Sequence, residues 1–136
     1  MAFDASLQFT DMGGRPIGEH IKVMECDFGF NQQTDITGKP VAKVMGGTIS
    51  LVLESTEDES IMNWMIATTE LKNGMIYFTL RDNKYKRLEF EEGACIQYHE
   101  TFNYDGSIPM QISLTISANK LRVGSSKFNN EWVFSK

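Results

Sequence analysis

The residues that could perform acid–base or nucleophilic chemistry are few, and their spacing matches no catalytic motif. The two histidines, His20 and His99, lie among polar neighbours without the HxH or HExxH spacing of a metal site. The two cysteines, Cys26 and Cys95, have no CxxC partner. A nucleophile would need a cysteine and a histidine to meet in space, and nothing in the local sequence indicates such a pair. We interpret the cysteines as buried reduced thiols, with a disulfide after export left open, and the histidines as surface or lumen-facing side chains.

Two further segments could bind a cofactor or an ion, and both have a simpler explanation. The dipeptide Gly38-Lys39 resembles the end of a phosphate-binding loop, but Pro40 replaces the required Ser or Thr, and Gln33 stands where the first glycine should be. The acidic run Glu57-Asp58-Glu59 could hold a divalent ion. A capping box explains this run better, because the Thr56 hydroxyl can accept a hydrogen bond from the Glu59 amide at a helix start. We predict no cofactor, no metal and no enzymatic activity.

One basic cluster and two tryptophans are candidates for contacts with other molecules. The cluster consists of Arg81, Lys84, Lys86 and Arg87. We interpret it as a solvated hairpin turn, with contact to an acidic neighbouring subunit as the alternative. Trp64 and Trp132 are interpreted as core or interface anchors, with a sugar-stacking platform as the alternative.

Length, composition and charge restrict the class of protein. The chain has 136 residues, 41% of them hydrophobic and 23% charged, which predicts one folded domain over residues 1–136. Its net charge of -5 argues against a nucleic-acid partner, which would require a concentrated Lys/Arg face. The N-terminal residues lack a basic segment followed by an apolar run, and no apolar run could span a bilayer, so we expect cytoplasmic synthesis and no membrane insertion.

Period-two alternation of apolar and polar residues dominates the chain and predicts β-strands. The apolar phase slips near Met24-Glu25, which predicts a bulge in a long strand. Residues 31–46 have no sustained period and read as a long loop, while Ile61, Trp64 and Met65 have helical spacing. We predict a mainly β fold, an antiparallel barrel or sandwich of two sheets with one short flanking α-helix.

The last long strand has an unusual outer face. Its apolar face alternates with small, uncharged polar residues rather than with the Lys and Glu of ordinary solvent-facing strands. This polar row consists of Gln111, Ser113, Thr115 and Ser117, followed by Asn119. Small hydroxyls and amides of this kind suit a wetted channel.

Several motifs together resemble the Hcp (TssD) family of type VI secretion tube proteins, in its Bacteroidetes form. No single motif is decisive, but in order and separation they span nearly the whole chain. Phe128 departs from the pattern, because related sequences more often carry a histidine there. The matching motifs are CDFGFNQQTD from Cys26 to Asp35, TGKP from Thr37 to Pro40, GGTI from Gly46 to Ile49, Glu54-Ser55, Pro109-Met110, LTISA from Leu114 to Ala118, and Asn130-Glu131-Trp132.

The resemblance implies a structural role. Copies of the chain would close into hexameric rings that stack into a hollow tube, which sheath contraction expels together with its tip and effector cargo. Sheath, tip and baseplate proteins of the apparatus would be its partners. It implies a protein that is cytoplasmic when assembled and secreted through the apparatus without a signal peptide. It places ring stacking on the long loop, with Thr34, Asp35, Thr37, Gly38, Lys39 and Pro40 as the candidate residues. The row Gln111, Ser113, Thr115 and Ser117 is the candidate lumen face, because its small polar side chains would stay hydrated in such a tube. A small-ligand-binding β-barrel carrier and a phage tail-tube protein are the alternatives.

Overall fold

The computed structural model describes residues 4–57, 59–67, 70–80, 84–104 and 110–132. These residues form one antiparallel sheet and one short helix. The elements, in chain order, are β1 (Asp4–Thr10), β2 (Pro16–Phe28), β3 (Thr48–Glu54), α1 (Ser60–Ile66), β4 (Lys72–Thr79), β5 (Tyr85–Phe102), β6 (Met110–Val123) and β7 (Ser126–Asn129). The predicted mainly β fold with one short helix is confirmed.

The sheet closes on itself into a barrel. Its strand order is β3-β2-β1-β4-β5-β6-β7, and β3 also pairs with β6. Six strands therefore form the closed barrel, and β7 continues beyond it by pairing with the last residues of β6. In this order β1 and β4 lie on the side of the barrel opposite β3 and β6.

The alternating apolar residues fill the barrel interior. Leu7, Ile76, Leu88, Leu51 and Leu114, from five different strands, belong to one buried cluster. Their burial removes a large apolar area from water, which is the main stabilising term for a fold of this size. Interior packing by side chains is what a barrel with this few strands permits.

The helix contributes to this interior through Trp64. Its indole makes an edge contact with Phe9, with ring centroids 5.5 Å apart, and stacks on Phe90 at 6.4 Å. The indole N–H donates to the carbonyls of Glu70 and Gly93, each at 3.2 Å, so its polar end is satisfied although the side chain is buried. The interpretation of Trp64 as a core anchor is confirmed.

The predicted capping box is wrong. The helix begins at Ser60 with Glu59 at the N-cap position, and Glu59 makes no side-chain capping hydrogen bond. The helix start therefore falls too late for Thr56 to act as the cap. Asp58, the middle residue of the acidic run, lies outside the described residues.

Bulges adjust the strands where the barrel must bend. The register of β2 against β3 shifts between Val23 and Glu25, which confirms the slip predicted from the sequence. A second shift in β5 occurs between Cys95 and Gln97 and turns Ile96 outwards. Such bulges increase the local twist and allow long strands to curl around a closed barrel.

Candidate assembly surfaces

An extended arm, residues 29–47, connects β2 to β3. Although the sequence predicts a structureless loop, the structure has a two-stranded hairpin. Asn31 and Met45 exchange both backbone hydrogen bonds, at 2.9 and 2.7 Å, and Thr34 bridges to Pro40. The Gln32 side-chain amide adds a bond of 2.8 Å to the Ala42 carbonyl. The arm is thus a defined element, and the absence of period-two patterning reflects the lack of a buried face, since nearly every residue in it is exposed.

The tip of the arm is held by one carboxylate. Asp35 accepts hydrogen bonds from the Thr37 amide at 2.8 Å, the Thr37 hydroxyl at 2.7 Å and the Lys39 amide at 3.1 Å. Gly38 takes a left-handed conformation (φ 88°) that closes the turn. The hydrogen bonds from Thr37 and then Lys39 lower the pKa of Asp35, because they favour the charged form. The residues predicted for stacking, from Thr34 to Pro40, all lie in this exposed turn.

The arm also carries large apolar side chains that the sequence interpretation missed. Ile36 at the tip is fully exposed, and the exposed fractions of the others range from 38% to 60%. Isolated apolar residues on a surface are ordinary, but a projecting hairpin with this many is typical of an element that packs against another molecule. The exposed apolar residues of the arm are Phe30, Ile36, Val41, Val44 and Met45.

The predicted polar row lies on the outer face of β6. Ser113 is exposed, and Gln111, Thr115 and Ser117 are partly exposed, while the alternating Ile112, Leu114 and Ile116 are buried. On one side the row pairs with β3, where Ser50 opposes Thr115. On the other side it pairs with β5, where Gln97 opposes Thr115 and His99 opposes Ser113. The predicted lumen residues therefore lie together on one surface.

Polar and acidic neighbours extend this row into a polar sheet face across β2, β3, β6 and β5. The Thr115 hydroxyl donates to the Gln97 side-chain oxygen at 3.3 Å. Glu25 and Asp27 border the face from β2, and a depression of about 420 Å³ lies between them and His99. The face therefore offers hydrogen-bonding groups and a few carboxylates, with the partly exposed Val52 among them. Such a polar surface suits contact with water or with a weakly held molecule.

The thiols are unsuited to nucleophilic chemistry. Burial, with a smaller contribution from the Asp27 charge, raises the pKa of Cys26 to about 11. Burial also raises the pKa of Cys95, partly offset by hydrogen bonding with the Gln97 backbone. A nucleophilic cysteine needs a lowered pKa. Both cysteines are free, as predicted, and they lie on β2 and β5, on opposite sides of the barrel.

The remaining candidate groups make structural contacts. The Ser6 hydroxyl and His20 Nδ1 lie 3.0 Å apart. Arg87 interacts with the Tyr77 side chain and then with Glu89, and both raise its pKa. Arg81, part of the predicted basic cluster, lies outside the described residues.

Within the described ranges there is no group of His, Cys, Asp and Glu that could hold a metal ion. No helix in those ranges is long and apolar enough to cross a bilayer.

A sequence model of hemolysin coregulated protein Hcp (TssD) matches residues 1–133. The chain belongs to the Hcp (TssD) family. This is the family of type VI secretion tube proteins, as the motifs between Cys26 and Trp132 indicated. No curated protein matched the chain.

Solved structures agree with the Hcp assignment. Hcp1 from Flavobacterium johnsoniae is 31% identical, with a TM-score of 0.82 over 93% of this chain and 99% of that chain. Hcp1 from Salmonella typhimurium is 12% identical, with a TM-score of 0.69 over 94% and 92% of the two chains. A structure of the anti-feeding prophage baseplate is 8% identical, with a TM-score of 0.54 over 89% and 91%. The last two share the fold alone, whereas the Flavobacterium protein bears out the predicted Bacteroidetes type.

Proposed function

We propose that this protein is a non-enzymatic tube subunit that closes into hexameric rings, and that the rings stack into a hollow tube. Sheath, tip and baseplate proteins of the type VI apparatus would be its partners, and the tube would be expelled by sheath contraction with effector cargo inside. The protein would be cytoplasmic while assembled and leave the cell through the apparatus. The family match over residues 1–133 carries this proposal.

The arm supports the stacking part of the proposal. Its apolar residues, with Ile36 fully exposed at the tip, gain by burial against another copy of the chain. Its hydrogen bonds between Asn31 and Met45 and around Asp35 order the hairpin before it binds, which reduces the entropy cost of association. A protruding hairpin on one copy and a receiving surface on the next form a heterologous contact, the type that builds rings and stacks.

The polar sheet face supports the channel part of the proposal. A channel that releases its cargo needs a surface that stays hydrated and binds weakly. The row from Gln111 to Ser117, with Ser50 and Gln97 beside it, provides hydroxyls and amides without a large apolar patch. The packed interior, by contrast, gives no support to a small-ligand carrier, because core side chains occupy the space that a ligand would need.

The test is the assembly state of the purified protein, by size-exclusion chromatography and negative-stain electron microscopy. We expect rings, and stacked rings at high protein concentration. An Ile36→Asp variant should keep the rings and lose the stacks, because a charge would be buried at the contact. The matched control is Met12→Asp, which alters an equally exposed apolar residue in the turn between β1 and β2. A protein that stays monomeric at every concentration would refute the proposed function.

A further inference from the structure

The C-terminal segment 128–132 lies between the base of the arm and strand β6 of the barrel. We propose that this segment, the latch, positions the arm for ring stacking, with Asn130 as its central positioning residue. Only the role of the latch in ring stacking rests on the proposed function. The effect of the latch on the arm can be measured in a single subunit.

Asn130 joins the arm to the barrel through one side-chain amide. Its Nδ2 donates to the Gly46 carbonyl in the arm and to the Ala118 carbonyl in β6, each at 3.0 Å. Gly47, the last residue of the arm, has a φ of 91°, and an added Cβ would collide with Ala118 and with the Asn130 amide. The last two residues of the arm are thus fitted closely to the latch.

Two further contacts reach other parts of the arm. The Phe128 ring packs on the Phe30 ring with centroids 5.1 Å apart, at the point where the arm leaves β2. Lys43, on the returning strand of the arm, forms an ion pair with Glu131 at 3.1 Å. The latch therefore contacts both strands of the hairpin, which fixes the direction of the arm rather than one point on it.

The latch is itself anchored to the barrel through Asn119, a buried polar residue of β6. The Asn130 backbone amide donates to the Asn119 carbonyl at 2.7 Å. The Trp132 backbone amide donates to the Asn119 side-chain oxygen at 2.9 Å. The Asn119 side-chain amide donates in turn to Glu92 at 3.0 Å. A buried network in which each group is satisfied holds its members in one arrangement.

Backbone conformation points to the same residues. Among the described residues, the non-glycine positions with positive φ are Glu92 (53°) and Glu131 (59°). Both belong to the latch and its anchor. Non-glycine residues are held in this region only where the surroundings determine it, and such strain concentrates at functional positions.

The test compares Asn130→Ala with the wild type by amide hydrogen exchange. The reporters in the arm are the backbone amides of Asn31 and Met45, each of which donates to the carbonyl of the other residue across the hairpin. Loss of both side-chain bonds should speed their exchange by roughly tenfold or more, while the Leu114 and Ile116 amides of the barrel are unchanged. Asn63→Ala, on the exposed face of α1, is the matched control.

The ion pair provides a rescue experiment. Glu131→Lys alone should speed exchange of the Met45 amide, and the double variant Lys43→Glu, Glu131→Lys should restore it, because only the sign of the pair is changed. A purely local stabilising role would show in the melting temperature and would not depend on the sign. If neither Asn130→Ala nor Glu131→Lys alters arm exchange, the latch is refuted.

Stacking is the second measurement, by electron microscopy of the same variants. If arm exchange rises while stacks persist at wild-type length, the arm does not need the latch and the inference is wrong. If exchange rises and stacks shorten, it is supported. If wild-type protein forms no rings, the proposed function fails, and the exchange data still decide whether the latch orders the arm.

Discussion

The two cysteines show how burial decides the chemistry of a residue. Cys26 lies in β2 facing partly into the core, and the thiolate form would lose hydration there next to the Asp27 charge. Cys95 is similar on β5. The sequence could predict reduced, structural thiols from their place in alternating segments. It could not predict the size of the shift for either, because that depends on neighbours from other strands.

Cys26 should therefore react slowly with alkylating reagents. Its pKa of about 11 against the ordinary 9.0 means a thiolate fraction near neutral pH roughly a hundredfold below that of a free thiol. We expect the iodoacetamide rate of a Cys95→Ser variant to rise about tenfold per pH unit from pH 7 to 10, without a plateau. The unfolded state loses this proton more readily, so stability should fall as pH rises above 9.0. A plateau below pH 9 would contradict the assignment.

For the strands, the sequence predicted those features that change the alternation of apolar and polar residues. The bulge at Met24-Glu25 was visible because the apolar phase changes there, whereas the bulge at Ile96 was hidden because an isoleucine continues the apparent pattern. Residues 85–102 form one continuous strand, and Glu92 within it has a positive φ of 53°. The predicted helix start was wrong for a different reason. Thr56 and Glu59 have the spacing of a capping box, but the helix begins only at Ser60.

Gly47 provides a test at the scale of the arm. Its φ of 91° and its contact with the Ala118 carbonyl both oppose a side chain. Gly47→Ala should lower the free energy of unfolding by about 2–4 kcal/mol, the sum of backbone strain and steric displacement. Gly38→Ala is the matched control, since Gly38 has a similar φ of 88° with open space around it, and should cost only about 1 kcal/mol. Urea unfolding measures both, and equal losses would show that the close approach at Gly47 is unimportant.

For the whole molecule, the barrel and its exposed surfaces differ in how far the sequence reveals them. The fold class follows from period-two patterning, and the polar row on β6 was identified from its composition. The closure of β3 on β6 and the addition of β7 depend on pairings between distant segments, which no local pattern encodes. The Asn119 network was missed for the same reason, because an asparagine at the end of a polar row gives no sign of burial.

The same alternation permits a test of which face of β6 lines the proposed channel. Thr115 and Leu114 are adjacent, but the first lies on the polar sheet face and the second is in the core. Thr115→Trp should change the free energy of unfolding by less than about 1 kcal/mol, because the new side chain projects outwards. Leu114→Ala should cost about 2–5 kcal/mol through the cavity it leaves.

In assembled rings the two variants should differ again, because a Thr115→Trp side chain from every subunit would project into one shared channel. Rings of this variant should retain less co-purified cargo than the wild type, measured by mass spectrometry of purified rings, while their diameter in electron micrographs is unchanged. Ser6→Trp, on the opposite side of the barrel in β1, tests whether any added tryptophan has this effect. If Thr115→Trp destabilises the protein as much as Leu114→Ala, or if Ser6→Trp expels cargo equally well, the polar sheet face does not line the channel.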